Sequence, residues 1–389
     1  MKQFLLSGML FGACLSANAQ WNTITSSATD KLHAIHFFDA NNGICSGYSP
    51  QQGTVNGGTS WTNMSIGGAN DYSFASSTVG YAAGSAGNSM RKTTNAGVSW
   101  TSITPPTSNS LWAVYAVDAN VAYFVGTGGV LWKTANGGTS VSVLNSGTTD
   151  QLTDIVFTSA TNGLLVTQTG YIKRTTNGGS SWTTVYDAAS GVSLSEMHFT
   201  DAMTGYVCGS KGTIVKTTDG GANWTELNSG STTAVFQGIH FFDANHGITV
   251  GLAGTMSFTT DGGANWCFQT ISANHLRDVR MLTATGAIVT GESGTILKNT
   301  NIACTLGLND ELTEETVISP NPFNDQLTIT AKDLEQVTLY NASGQAVSVP
   351  VQSVQDGSLT FNCSEVPAGI YMAVIETAHG VTQRKVVKL

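Results

Sequence analysis

The chain has 389 residues, more than one compact core ordinarily organises, so several domains or a repeat array are expected. Only 11% of the residues are charged, 44 are Gly, and the formal charge is −9. Long helices do not suit this composition, and neither nucleic acid nor an anionic membrane surface is an expected partner, because both need clustered Lys and Arg.

In chain order, residues 1–19 have the pattern of a secretory signal: Lys2, an apolar run from Phe4 to Leu15, and the small-residue site Ala17-Asn18-Ala19. Cleavage is expected between Ala19 and Gln20. Cys14, after Gly12-Ala13, offers a lipidated start instead, but Phe11 stands where a lipoprotein signal usually carries Leu. No later stretch has the ~20 apolar residues that cross a bilayer, so no transmembrane segment is expected.

From there to about residue 301 the chain repeats every ~41 residues, marked by VNGGTSW, TTNAGVSW, TANGGTSV, TTNGGSSW and two copies of TTDGGANW. The closing position falls at Trp61, Trp100, Val141, Trp182, Trp224 and Trp266, and Trp21 lies one period upstream. Residues 235–266 show the unit best: VFQGIHFFDA, HGITVGLA, GTMSFTTDG and GANW are four short strands. The first strand ends in a D-A-x-x-G turn, at Asp39–Gly43, Asp201–Gly205 and Asp243–Gly247, where the Asp can bond its own turn and the Gly can take positive φ. Four strands per ~40 residues make a propeller blade. The expected fold is all-β: a seven-bladed β-propeller over residues 20–303.

The TTDGGANW string, with Asp219, Gly221 and Trp224, matches the S/T-x-D-x-G-x-x-W spacing of the Asp-box, and the whole unit resembles the photosystem II assembly-factor-like propellers. In those proteins the box is a folding device: its acidic or amide side chain caps a hairpin and its Trp packs between blades. The resemblance implies capping roles for Asn56, Asn95, Asn136, Asn177, Asp219 and Asp261, and packing roles for Trp61, Trp100, Trp182, Trp224 and Trp266. Asn filling the Asp slot fits a requirement for capping and not for acidity. A basic column on the third strands, Lys92, Lys133, Arg174, Lys216 and Lys298, is expected to be solvated with its stems over the blade surface. A charged ring for a partner is the other reading.

The seventh unit, Leu276 to Asn301, has three strands and no Trp, while Gln20-Trp21-Asn22-Thr23 supplies one. The N-terminal strand is therefore expected to complete the last blade, with Asn301 in the Asp slot and Trp21 in the Trp slot. Closure removes the open edge that an unfinished sheet would present. Five cysteines follow the signal, an odd number without a CxxC pair. A Cys267–Cys304 bridge would fasten the end of the array; two unpaired small apolar side chains are the plainer expectation. Cys45, Cys208 and Cys363 lie in strand-like runs and are expected in cores.

Residues 304–317 form a linker, acidic from Asp310 to Glu315, and residues 318–389 alternate strand-like runs with turns, enough for a small β-sandwich. Its PNPF, LYNASGQ, VPAGIYMAVI and terminal RKVVKL, in that order, resemble the type A sorting domain of the type IX secretion system of Bacteroidota. That resemblance implies handling by the type IX machinery, passage across the outer membrane, and a product released or attached to the cell surface. Photosystem assembly is not carried over to such an exterior.

Propeller ligands usually sit where the innermost strands begin. Aligned blades place His33, Asn70, Trp112, Thr153, Ser195, Gln237 and Arg277 in one column there, with Asp71, Asp154, Glu196 and Asp278 beside it. The candidate ligand site is His33, Trp112, Asp154, Gln237, Arg277 and Asp278, with Trp112 offering a face for a sugar ring or a peptide side chain. An extracellular glycan or protein is the expected ligand. Asp-box propellers also include sialidases and endo-glucanases, so glycoside hydrolysis is the competing reading. A sialidase needs three converging arginines, and only Arg277 and Arg280 fall near the channel; a glucanase needs two carboxyls, for which Asp154 and Asp278 are the pair. His36, His198 and His240 repeat one slot, a packing choice and not a metal site. No cofactor is expected, and no HExxH, GxSxG or phosphate-loop pattern occurs.

Overall fold

The computed structural model describes residues 21–302 and 317–389, apart from 49, 65–66, 85–89, 332, 342–345, 356 and 378–379. The expected cleavage point Ala19–Gln20, Cys14, Cys304 and most of the linker lie outside the described residues. The chain divides into two compact units between Cys304 and Thr305.

Among the described residues the first unit is built from seven four-stranded antiparallel sheets. Six are consecutive in sequence, such as Leu32–Phe37, Gly43–Gly47, Gln52–Thr54 and Thr62–Asn63. The last combines Leu276–Thr283, Gly286–Gly291 and Ile296–Asn299 with the N-terminal strand Asn22–Thr23. Asn22 pairs with Lys298 and Thr23 with Leu297, and Ile24 N donates to Ile296 O at 2.9 Å. The expected closure by the chain start is thus present. The innermost strands touch in a complete cycle, the first meeting both the second and the last. Each is half apolar by alternation, and its buried side chains serve the gap between two blades. Leu32, Ile35, Phe37 and Trp61 of the first blade pack with Ile288 and Ile296 of the last. Ala34 and Ile44 pack with Tyr72 and Ala82 of the second. Burying a side chain the size of Leu or Phe stabilises by about 1.5–3 kcal/mol, so these gaps hold the ring together.

Six of the box turns carry a side-chain cap. Asp219 Oδ1 accepts from Ala222 N at 3.0 Å and Asn223 N at 2.9 Å, while Thr217 Oγ1 accepts from Gly221 N at 3.0 Å. Asn56 does the same for Thr59 N and Ser60 N, at 3.1 and 3.0 Å. Asn95, Asn136 and Asn177 each accept from the backbone N–H four residues on, as does Asp261. In the split box, Asn299 Oδ1 takes the place of the Thr hydroxyl and accepts from Asn301 N at 2.8 Å, and Trp21 lies partly buried against the last interblade core. The box Trp rings meet a Phe of their own blade edge-on, as in Trp61–Phe37, Trp182–Phe157, Trp224–Phe199 and Trp266–Phe241. Trp100 meets Phe74 edge-on in the same way, and it also stacks on Tyr72 and donates to Gln51 Oε1 of the preceding blade at 3.0 Å.

Two details differ from expectation. The basic column does not only lie over the blade surface; it ties blades together. Lys298 Nζ donates to Gly57 O at 2.7 Å, Lys216 Nζ to Gly262 O at 2.8 Å, Lys92 Nζ to Ala119 O at 2.8 Å, and Arg174 Nε to Gly220 O at 3.1 Å. Each acceptor belongs to a turn of a neighbouring blade, and Gly262 O and Ala119 O also accept from the hydroxyls of Tyr206 and Tyr81. Cys267 is disulfide-bonded, against the plainer expectation of an unpaired side chain. Cys45, Cys208 and Cys363 are free and buried.

The second unit has two four-stranded antiparallel sheets around Phe323, Leu327, Ile329, Leu339, Phe361, Tyr371, Ile375 and Val386. Its first and last motifs are one feature in space. Asn321 Nδ2 donates to Lys385 O and its Oδ1 accepts from Val387 N, both at 3.0 Å; Phe323 N donates to Val387 O and Leu389 N to Phe323 O, at 2.8 and 2.9 Å. PNPF therefore pins the terminal strand.

Candidate functional site at the channel mouth

The site rests on a repeated backbone irregularity. Six of the seven innermost strands carry a register shift at the same place, between Leu32 and Ala34, Leu111 and Ala113, Leu152 and Asp154, Leu194 and Glu196, Phe236 and Gly238, and Leu276 and Asp278. The residues inside these bulges are His33, Trp112, Thr153, Ser195, Gln237 and Arg277. A bulge adds one residue to one strand and re-aims its side chain. Five of the second strands meet the bulge with Gly, because a Cβ at Gly126, for example, would stand 2.1 Å from Ser110 O. The predicted column, apart from Asn70, is thus a set of bulge residues at one mouth of the channel.

All six candidate ligand residues, His33, Trp112, Asp154, Gln237, Arg277 and Asp278, line one cavity of about 420 Å³ there. The walls also hold Lys31, Tyr48, Gln151 and Gln168, which the sequence reading did not single out. Their signal was available in the repeat. Lys31 and Gln151 immediately precede the innermost strands, Tyr48 and Gln168 follow the second strands, and one backbone bond joins each pair: Tyr48 N to Lys31 O at 3.0 Å and Gln168 N to Gln151 O at 2.9 Å. His33 meets Tyr48 and Trp112 with ring centroids 5.2 and 6.2 Å apart. On the side of the first and last blades, Arg277 pairs with Glu292 and donates through Nη1 to Gln237 Oε1 at 3.0 Å, and Lys31 Nζ lies 3.2 Å from the same Glu292.

Below this ring lie four carboxyl groups with a common task. Asp71 Oδ2 accepts from Val114 N, Asp154 Oδ2 from Met197 N, Glu196 Oε2 from Ile239 N and Asp278 Oδ2 from Ile35 N, at 2.7–2.8 Å. Each acceptor is on one blade and each donor on the next. The three aspartates also accept their own following N–H through Oδ1, at 2.6–2.7 Å. Asp154 and Asp278 are therefore braces between blades as well as cavity residues.

Burial pushes Asp154 up to about 7 and Asp278 to about 6, and drives Asp71 and Glu196 well above the usual carboxylate range, with repulsion from Asp154 and Asp278 adding to it for these last two. A layer deeper, burial and then the charge of Arg280 hold His36 and His198 near 3 and His240 well below the usual imidazole value. These rings are neutral and packed: His198 and His240 lie 4.4 Å apart and His36 stacks on Phe74. Among the described residues no group of three or more His, Cys, Asp or Glu is placed to hold a metal ion.

The two sets act on stability with opposite signs. A carboxyl whose folded pKa is raised keeps a proton that the unfolded chain has released, so stability falls as pH rises from about 4 towards the folded value. A histidine whose folded pKa is lowered stays neutral while the unfolded chain takes up a proton, so stability falls as pH drops below about 6.5. Only the carboxyls act above neutrality. From pH 7 to 8 the propeller is expected to lose stability, carried by Asp71 and Glu196, which burial holds well above the usual carboxylate range. Urea midpoints at the two pH values measure this; Glu196→Gln should flatten the decline, and an unchanged slope in that variant would exclude Glu196 as its source.

Comparison with known proteins agrees with this architecture. Residues 317–389 match the model described as the secretion system C-terminal sorting domain, and residues 140–228 that of photosynthesis system II assembly factor YCF48. No curated protein sequence matches the chain at significance. Among solved structures, YCF48 bound to D1 peptide is similar at 19% identity and a TM-score of 0.59, covering 74% of this chain and 96% of that one. YCF48 from Cyanidioschyzon merolae gives 18% and 0.59, covering 72% and 98%. The Niastella koreensis GH74 enzyme gives 13% and 0.61, covering 94% and 67%. At these identities the likeness is one of fold. The chain is a β-propeller carrying a type IX sorting tail.

Proposed function

We propose that this propeller with a sorting tail is an exported, non-catalytic binding protein that takes a glycan at the channel mouth and reaches the cell exterior through type IX secretion. The observation that carries the reading is the convergence of Trp112, His33 and Tyr48 with Gln151, Gln168 and Gln237 on one cavity. Aromatic faces cover the apolar faces of a pyranose ring, and planar amides donate to and accept from its hydroxyls. The sorting tail supports export. The described residues contain no helix long and apolar enough to cross a membrane.

Glycoside hydrolysis is the competing reading. It needs two carboxyls free to exchange protons with the scissile bond and with water or the sugar. Asp154 and Asp278 share the cavity, yet both oxygens of each accept backbone N–H groups, and Asp71 makes the same pair of bonds from another blade. A role common to several blades favours bracing over chemistry. The binding test is Trp112→Ala: an oligosaccharide that binds the parent should bind this variant at least about tenfold more weakly, equal to ~1.4 kcal/mol, at an unchanged melting temperature. Equal affinity would remove Trp112 from the site.

A further inference from the structure

The cavity at the mouth is walled all the way round. Each of the seven blades contributes to its lining, from His33 on the first to Arg277 on the last. The innermost strands that carry these residues touch in a complete cycle, so the wall has no cleft between blades at this level. Asp71, Asp154 and Glu196 line this cavity and also a second one of about 410 Å³, which contains Tyr115 and Arg280. Their bonds to the neighbouring blades make them a collar between the two cavities. A long chain can enter a closed ring only by its end. The volume of about 420 Å³ lies near the lower bound of the roughly 300–1,000 Å³ of small-molecule sites, which suits a terminal sugar and its neighbour and not an extended segment.

The polar groups left free in this cavity are uncharged. Tyr48 and Gln168 are exposed, Gln151 and Ser193 partly so, and among the described residues none of these four side chains has a hydrogen-bond partner. All four line the cavity. Hydroxyls and amides both donate and accept, as sugar hydroxyls do. The charged groups are already matched. Glu292 pairs with both Lys31 and Arg277, and Asp30, whose Oδ1 accepts from Lys31 N at 2.7 Å, offsets the second positive charge. Both oxygens of Asp154 and of Asp278 accept backbone N–H groups. A charged ligand finds no unmatched opposite charge here, whereas uncharged hydroxyls find partners to either side of Trp112, on the first, fourth and fifth blades.

Resting on the glycan-binding reading, we infer that the site recognises the free end of an uncharged glycan chain, with the terminal ring against Trp112 inside the circle of blades and its hydroxyls on Gln151, Gln168, Tyr48 and Ser193. The rest of the chain leaves through the mouth. A chain lying across the rim would instead be recognised along its length.

The test titrates the full chain with four probes: cellohexaose, mannohexaose, xylohexaose and, as the charged comparison, an oligogalacturonate. At least one of the three uncharged sugars should bind more tightly than the oligogalacturonate. Over a length series of that sugar, from hexasaccharide to polymer, the protein bound per gram should fall in inverse proportion to chain length, because each chain offers only its end. Gln151→Ala combined with Gln168→Ala, checked for an unchanged melt, should weaken the hexasaccharide at least about tenfold. Protein bound per gram that stays constant with length would overturn the chain-end inference and leave glycan binding standing. Tightest binding of the oligogalacturonate would overturn the uncharged ligand in the same way, and unchanged affinity in the double variant would overturn the placement on the two amides. Binding of none of the four would overturn both this inference and the glycan reading.

Discussion

Removal of residues 20–26 is expected to abolish the cooperative thermal transition of the propeller. The segment is short, but its bonds all span the join between chain start and array end. Asn22–Thr23 forms the outer strand of the last sheet, Ile24 packs into the core between the last and first blades, and Ser26 Oγ donates to Gly294 O at 3.3 Å. Without the strand, Ile296–Asn299 becomes an exposed edge with unpaired N–H and C=O groups, and Trp21 no longer covers the adjoining core. A ring in which every blade leans on two neighbours cannot lose one seam locally, so the loss is expected to exceed the ~5–15 kcal/mol that holds a typical domain folded. Calorimetry of the deletion variant against the parent measures it; a variant melting like the parent would refute the closure.

Asp278→Ala should have the next largest effect. Its carboxyl accepts Ile35 N of the first blade at 2.8 Å and Val279 N at 2.6 Å. Truncation leaves two buried N–H groups unpaired, at roughly 1–3 kcal/mol each, so a loss of about 3 kcal/mol is expected, or about 6–12 °C in Tm. Asp278→Asn keeps one carbonyl acceptor and should lose about half as much. The pair of variants separates bracing from catalysis. If Asp278→Ala melts with the parent, the carboxyl is not a brace and is free for other work.

The closure and the boxes were legible because their determinants are local. Asp219 caps residues three and four positions away, and Trp21 and Asn301 stand out as the missing members of a pattern repeated elsewhere. The position of the mouth was legible too, since Trp112 and Arg277 fall in one aligned slot. What the carboxyls do was not. The partner of Asp154 is the backbone N–H of Met197, 43 positions away, and an inner-strand Asp looks the same whether it faces a ligand or a neighbouring strand. The bulges were hidden for a related reason: Leu32-His33-Ala34-Ile35 does not show by composition which residue the partner strand skips. The basic column looked solvated because Lys298 lies far in sequence from Gly57, the carbonyl it satisfies.

The central claim is that the bulge ring at the channel mouth binds a glycan without cleaving it. The most direct measurement follows, in one sample, binding of an oligosaccharide to the full chain and the appearance of new reducing ends over time. The account predicts saturable binding that Trp112→Ala weakens at least about tenfold, with no new reducing ends. Steady release of reducing ends that stops in Asp154→Asn would contradict it.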